Sequence, residues 1–316
     1  MKKPPRDPFG LDISSALRGW QFEAGQVNVR LIRGADGKPK LQLRLDLGLL
    51  QMELIGRPDG KRPHHAATEL DFQTRKLRRH LERHGTDTGF TLTSSDCQSL
   101  REESAMFYHR YLSLFVLEQY EAVIRDTQHN LGVLDICNKY AKGDYDRMCL
   151  EQYRPYILMM HTRARACEAL RHNYTRTAVA YLRGGIKQIL RLMPKESRPD
   201  AREHSHEIHV LMDMLRQLRA QLPPDPRLQL KKKLQAALAA EKYEVAARLR
   251  DELLALHTAG QQPRKKKRAA NVESLKDAMN PAPPVAPAPA PSAPPPAAET
   301  STPPAPRRKR KKPPEA

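Results

Sequence analysis

Across residues 27–55 apolar positions recur with a period of two: Val27, Val29 and Leu31, then Leu41, Leu43, Leu45 and Leu47, then Leu50, Met52 and Leu54. Successive side chains of a strand point to opposite faces, so this alternation predicts half-buried strands. Asp36-Gly37 and Gly48 punctuate the run and Arg57-Pro58-Asp59-Gly60 closes it, which divides it into three strands of an antiparallel meander. Asn28, Arg30, Gln42, Arg44, Asp46, Gln51 and Glu53 fall on the other face, expected to stay wet. A three-stranded sheet needs a cover, and residues 68–84 are the expected one. Thr68 suits an N-cap, Leu70, Leu77 and Leu81 make an apolar stripe, and Gly85 can end the helix. Arg75, Lys76, Arg78, Arg79 and Arg83 on the same helix read as a solvated basic face.

Beyond residue 94 the period changes to that of a helix. Leu100, Phe107, Tyr111, Leu114 and Phe115, then Val123, Ile124, Thr127, Leu131 and Leu134, predict antiparallel helices through residue 222. Joints fall near Leu117-Glu118-Gln119-Tyr120 and Leu170-Arg171-His172-Asn173-Tyr174. Gly184-Gly185, inside a helical pattern, costs helix stability and marks either a close helix approach or a break. A last hairpin follows. Asp225 suits an N-cap and Pro226 the first helical position, and Leu230, Leu234, Ala237 and Leu238 form one apolar face. After Glu241-Lys242-Tyr243, a second helix turns Ala246, Leu249, Leu253 and Leu256 inward, with Ala246 and Ala247 small enough for close packing. The fold class is therefore α+β, mainly α. Its expected divisions are a small α+β domain (1–93), a helical-hairpin domain (94–222), a helical hairpin (223–258) and a disordered tail (259–316).

Charge adds a partner class. The 316 residues carry 55 Lys and Arg against 36 Asp and Glu, a net charge of +19. Residues 263–316 hold 12 of those cations, four acids and 15 of the 27 prolines. Such a composition cannot bury enough apolar surface to offset the entropy of ordering. Two basic clusters, Arg264, Lys265, Lys266, Lys267 and Arg268, then Arg307, Arg308, Lys309, Arg310, Lys311 and Lys312, flank an extended Pro/Ala spacer. Clusters of this kind contact phosphates by charge, with salt-sensitive and sequence-blind binding to nucleic acid. No aromatics interleave to stack on bases. Only 39% of residues are apolar and mean hydropathy is -0.69, with no stretch long enough to span a membrane. The first residues lack a secretory pattern, so a cytoplasmic location, compatible with association to the nucleoid, is expected.

Sites for chemistry are sparse. Gly56-Arg57-Pro58-Asp59-Gly60-Lys61-Arg62 superficially resembles a phosphate-binding loop, but three residues separate its glycines and Arg stands where Ser or Thr would hold magnesium. Pro-Asp-Gly is turn chemistry in its own right. His204, His206 and His209 lack a second ligand pair to complete a tetrahedral metal shell and read as surface histidines. Cys97, Cys137, Cys149 and Cys167 form no CxxC pair and no nucleophile motif. Arg154, Arg163, Arg165 and Arg176, near Tyr156, Met159 and Met160, could line an anion groove, though pairing with neighbouring acids is the commoner use. No catalytic residue, cofactor or metal is expected, and the protein is read as a non-enzyme.

The segment DPRLQLKKKLQAALAAEKYEVAARLRDELLAL resembles the UVR motif of the UvrB and UvrC excision-repair proteins. The match lies in Tyr243-Glu244, Ala246-Ala247 and Leu249-Arg250-Asp251, over about a tenth of the chain. The resemblance implies a protein-protein contact hairpin, pairing with another such hairpin or with itself, and no catalytic residues. Tyr243, Ala246, Ala247 and Leu249 would pack, Glu244, Arg250 and Asp251 would fix the turn and present charge, and Leu253 would join the contact. Helicase, phosphate-loop and nuclease motifs of those repair proteins are missing. The motif also occurs in Clp ATPases and in zinc-finger activators of a protein arginine kinase, whose CxxC fingers this chain lacks. The two central joints resemble tetratricopeptide-type hairpins, although their tyrosines stand 54 residues apart where that family repeats at about 34. Together these imply an adaptor linked to DNA repair, docking a UvrB/UvrC-like partner or a second copy while its tail holds nucleic acid. The alternative is a stress or quality-control regulator acting on a Clp ATPase or kinase complex.

Overall fold

A computed structural model describes residues 12–222 and 226–259. The elements in chain order are α1 (Ser14–Leu17), β1 (Val29–Arg33), β2 (Pro39–Arg44), β3 (Leu49–Glu53), α2 (Glu69–His84), α3 (Ser94–Val116), α4 (Tyr120–Tyr140), α5 (Asp144–Met148), α6 (Arg154–Arg171), α7 (Thr175–Arg191), α8 (Arg198–His204), α9 (His206–Gln221), α10 (Pro226–Ala239) and α11 (Tyr243–Ala259). The chain is mainly helical, with one small sheet near its start. Asp225, which the sequence offers as an N-cap, and both basic tail clusters lie outside the described residues, as does the side chain of Leu256.

The meander forms as the alternation predicts, antiparallel in the order β1-β2-β3, with Leu31 opposite Leu41 and Leu41 opposite Met52. Two details differ. First, β2 stops at Arg44, leaving Leu45 and Leu47 exposed in the turn. The Arg44 guanidinium donates to the carbonyls of Leu45, Asp46 and Gly48, and satisfying those groups closes the turn early. Second, the polar face is not wet throughout. Gln42 is buried, accepting from Arg30 Nε at 2.8 Å and donating to Gln51 Oε1 at 2.9 Å. The Arg30 guanidinium lies 4.0 Å from the Trp20 ring centroid and donates to the Ala16 carbonyl. The segment carrying α1 and Trp20 thus shelters this ladder.

The sheet is covered by α3 and the core beyond it, not by α2. Leu41, Leu43 and Met52 join one cluster with Tyr111 and Leu114 of α3, Val123 of α4, Met159 and Met160 of α6, Leu182 and Ile189 of α7 and Ile208 and Leu211 of α9. α2 instead buries Glu69 and Gln73, while Leu81 is exposed. Its ends are as expected: Thr68 caps Asp71 N–H, and Gly85 adopts φ 69°. Its position follows from the fully buried Glu103, whose carboxylate accepts the N–H groups of Glu69 at 2.7 Å and Leu70 at 3.1 Å. His129 Nε2 lies 3.1 Å from the same carboxylate and Arg57 Nε 3.6 Å from it. Those donors draw the first turn of α2 onto α3 and away from the sheet.

The helices from α3 onward are antiparallel hairpins. Thr93 and Asp96 form a reciprocal capping box that starts α3. Along α3 and α4, Arg110 pairs with Asp126, Phe107 stacks on His129 with centroids 3.7 Å apart, and the Ser104 carbonyl accepts from Asn130. A second cluster of Leu92, Cys97, Leu100, Val133, Leu134 and Cys137 fills the far end. α6 packs on α4 and α7, and α9 on α6 and α7. Gly184-Gly185 does not break α7. Gly185 is buried against α6, where an added Cβ would lie 2.8 Å from Thr162 Cβ, so only hydrogen fits.

Candidate interaction hairpin

α10 and α11 have each other as their principal packing partner. The turn between them is made by the backbone. Glu241 takes φ 55°, its N–H donates to the Leu238 carbonyl at 3.1 Å, and the Lys242 N–H reaches the Ala237 carbonyl at 2.9 Å. This is a Schellman turn, in which the two orphan carbonyls at a helix end are satisfied as the chain reverses. Glu118 (φ 56°) closes α3 onto α4 by the same two bonds, to Phe115 and, through Gln119, to Leu114; Asn173 (φ 61°) closes α6 onto α7, to Leu170 and, through Tyr174, to Ala169. After each turn comes a buried residue whose N–H begins the next helix's ladder: Val123, Ala178 and Ala246. The three hairpins therefore share one joint. Glu244, Arg250 and Asp251 do not fix the turn; Arg250 and Asp251 are exposed and bond to each other at 3.2 Å.

Inside the hairpin, Ala237 and Ala246 are buried and Leu230, Leu234, Leu249 and Leu253 are half-buried. The inward face of α11 thus runs through residues 246, 249 and 253, as the spacing predicts. Tyr243 and Ala247 depart from their expected packing roles. Tyr243 is 67% exposed, and Ala247 is exposed beside it. At i, i+4, i+7 and i+11, Tyr243, Ala247, Arg250 and Leu254 share one outward stripe, in which Leu254 is 60% exposed. Leu238, expected inside, is half-exposed as well, while its neighbour Ala237 is buried.

The other candidate residues do not converge. Arg154 holds Glu151 and Asp135, the ion pairing that is the commoner use of such arginines. Arg163 is buried over the Phe115 ring at 4.6 Å with Nη1 3.7 Å from Met160 Sδ, and burial lowers its pKa. Arg165 lies over Tyr181 at 4.0 Å, and Arg176 is exposed on α7, so the four line no common groove. His204, His206 and His209 are exposed. Among the described residues no three His, Cys, Asp or Glu side chains are grouped to hold a metal ion. Cys97, Cys137 and Cys167 are buried and Cys149 is half-buried. The Gly56–Gly60 segment is a turn, with Gly60 N–H on the Arg57 carbonyl and Lys61 N–H on Asp59 Oδ1. No described helix is long and apolar enough to cross a membrane. No protein-family model matches the chain, nor does any curated protein or solved structure.

Proposed function

We propose that the protein is a non-enzymatic adaptor whose α10/α11 hairpin, resembling a UVR motif, docks a UvrB/UvrC-like hairpin or a second copy, while the basic tail binds nucleic acid without sequence preference. One observation carries the reading: among its described residues the hairpin fully buries only Ala237 and Ala246 and leaves Leu238, Tyr243, Val245 and Leu254 exposed. A pair of helices this short gains most of its stability from covering an apolar face, and Tyr243 and Leu254, on one outward stripe of α11, are exposed apolar residues placed to meet a partner. Tethering then works through effective concentration, since phosphate contacts hold a protein to DNA without specifying where. A connection to DNA repair belongs to the same proposal, and the Clp or kinase regulator is its alternative.

Two variants separate the parts. Tyr243→Asp/Leu254→Asp is expected to keep the helix content of the hairpin and lose the protein partner in nuclease-treated affinity purifications. Removal of residues 263–316 is expected to keep that partner and lose most salt-sensitive DNA binding. Partner recovery unchanged by the first variant contradicts the docking role, DNA binding unchanged by the second contradicts the tail's, and recovery of a Clp ATPase favours the alternative.

A further inference from the structure

The exposed face of α7 departs from the rules of a helix kept only for packing. Its inner side is apolar, with Ala178, Val179, Leu182, Ile189 and Leu190 buried. Its outer side carries Arg176, Arg183, Lys187 and Arg191, which fall within an arc of about 80° at 3.6 residues per turn. There is no Asp or Glu anywhere in α7. Among the described residues none of the four makes an ion pair; Arg75, Arg78, Arg79 and Arg83 of α2 make none either, but that helix carries Glu69, Asp71 and Glu82, and α7 has no acid of its own. Arg183 with Lys187, and Lys187 with Arg191, are like charges at i, i+4, an arrangement that costs helix stability.

A second observation lies on the same face. Gly184 is exposed, and a Cβ added there would meet nothing within 4 Å. Packing accounts for Gly185 through Thr162 but not for Gly184, which weakens the helix with no neighbour to require it. With Ala180 one turn before it, Gly184 leaves a low strip beside the cations. Two local costs without structural return on one face are the mark of a surface kept for binding.

We infer that this face of α7 is a docking surface for the phosphate backbone of duplex DNA, separate from the tail. Four unpaired cations in a row match a line of phosphates, each contact releasing counterions. The low strip at Ala180 and Gly184 lets a bulky polyanion approach the helix axis. No aromatic stands among the four cations to stack on unpaired bases, which favours a duplex over a single strand. B-form DNA has a major groove wide enough to seat a helix ridge between its phosphate edges, and the A-form groove of RNA is too narrow for one. The face also lacks the large apolar side chains that a membrane-surface helix inserts among lipids.

The α7 surface is tested apart from the tail by using full-length protein in which the cations at 264–268 and 307–312 are replaced by Gln. Binding to a labelled 30-base-pair DNA is followed by anisotropy against salt. Arg183→Gln/Lys187→Gln on this background is expected to make the salt slope shallower by about 2, roughly one unit for each phosphate no longer neutralised. Gly184→Gln is expected to raise the melting temperature and still weaken binding at least tenfold. Because that substitution favours the helix, weakened binding cannot be ascribed to unfolding. Unchanged affinity and slope in both variants overturn the inference. So does tighter binding to duplex RNA, or to phosphatidylserine vesicles, than to duplex DNA.

Discussion

Arg110→Ala is expected to destabilise the protein by about 3–5 kcal/mol, the cost of removing one partner of a buried ion pair. Arg110 and Asp126 are both fully buried, joined at 2.6 Å from Nε and 2.9 Å from Nη2. Arg110 Nη1 also donates to the Glu53 carbonyl at 2.9 Å and the Gly56 carbonyl at 2.7 Å. One guanidinium therefore ties the end of β3 and the following turn to α3 and α4. Truncation leaves a buried carboxylate with only the half-exposed Arg125 beside it, and two carbonyls without this donor. Lys at 110 cannot restore this, because an ammonium lacks the planar fork that serves four acceptors at once. Arg110→Met/Asp126→Leu is expected to be more stable than Arg110→Ala alone, since it orphans no charge. Urea unfolding of the three variants checks the order, and a loss below about 1 kcal/mol for Arg110→Ala, the value of an exposed pair, would show that the clamp is not structural.

Stability is expected to drain in two stages as pH falls from 8. Burial lowers the pKa of His109; for His161 burial acts first, with Arg165 adding to it, and the pKa is lowered likewise. The unfolded chain then takes up protons more readily than the folded one. The contribution is whole above the ordinary imidazole value of 6.5 and is lost as pH drops through the lower folded values. Glu103 supplies the second stage. Burial opposes its charge, but His129 and the N–H groups of Glu69 and Leu70 outweigh burial and hold the carboxyl below its ordinary 4.5. Its contribution is present above that value and disappears as pH falls through the folded one. Urea midpoints between pH 8 and 3 should show both steps. His161→Asn/His109→Gln should flatten the upper step, and Glu103→Gln should lower stability at pH 7 while flattening the lower one. Midpoints that stay level from pH 7 to 5 would contradict the histidine assignment.

The sheet was readable because a half-buried meander must alternate, and its three strands stand where Val29, Leu41 and Met52 predict. What covers it was not readable. The cover depends on Glu103 capturing the N–H groups of α2, a polar contact more than thirty residues away in sequence. Nor could alternation reveal that Gln42 is buried, since its shelter comes from the aperiodic segment around Trp20. The helix joints carry no glycine signal, because backbone bonds offset the left-handed conformations of Glu118, Asn173 and Glu241. In the hairpin, helical spacing placed Ala246, Leu249 and Leu253 inward, yet it could not say that α11 turns Tyr243 and Ala247 out. The α7 cations were in plain view at helical spacing, and what singled them out was knowing that Gly185 packs and Gly184 does not.

The docking role of the hairpin is tested most directly by a photo-crosslinking phenylalanine analogue placed at Tyr243 in the full-length protein in its source cells, with the same group at exposed Arg79 on α2 as control. The expected result is a discrete adduct at residue 243, absent from residue 79, whose crosslinked peptide lies in a helical hairpin of a repair protein or of a second copy. No adduct at residue 243, or the same adducts from both positions, would contradict that role.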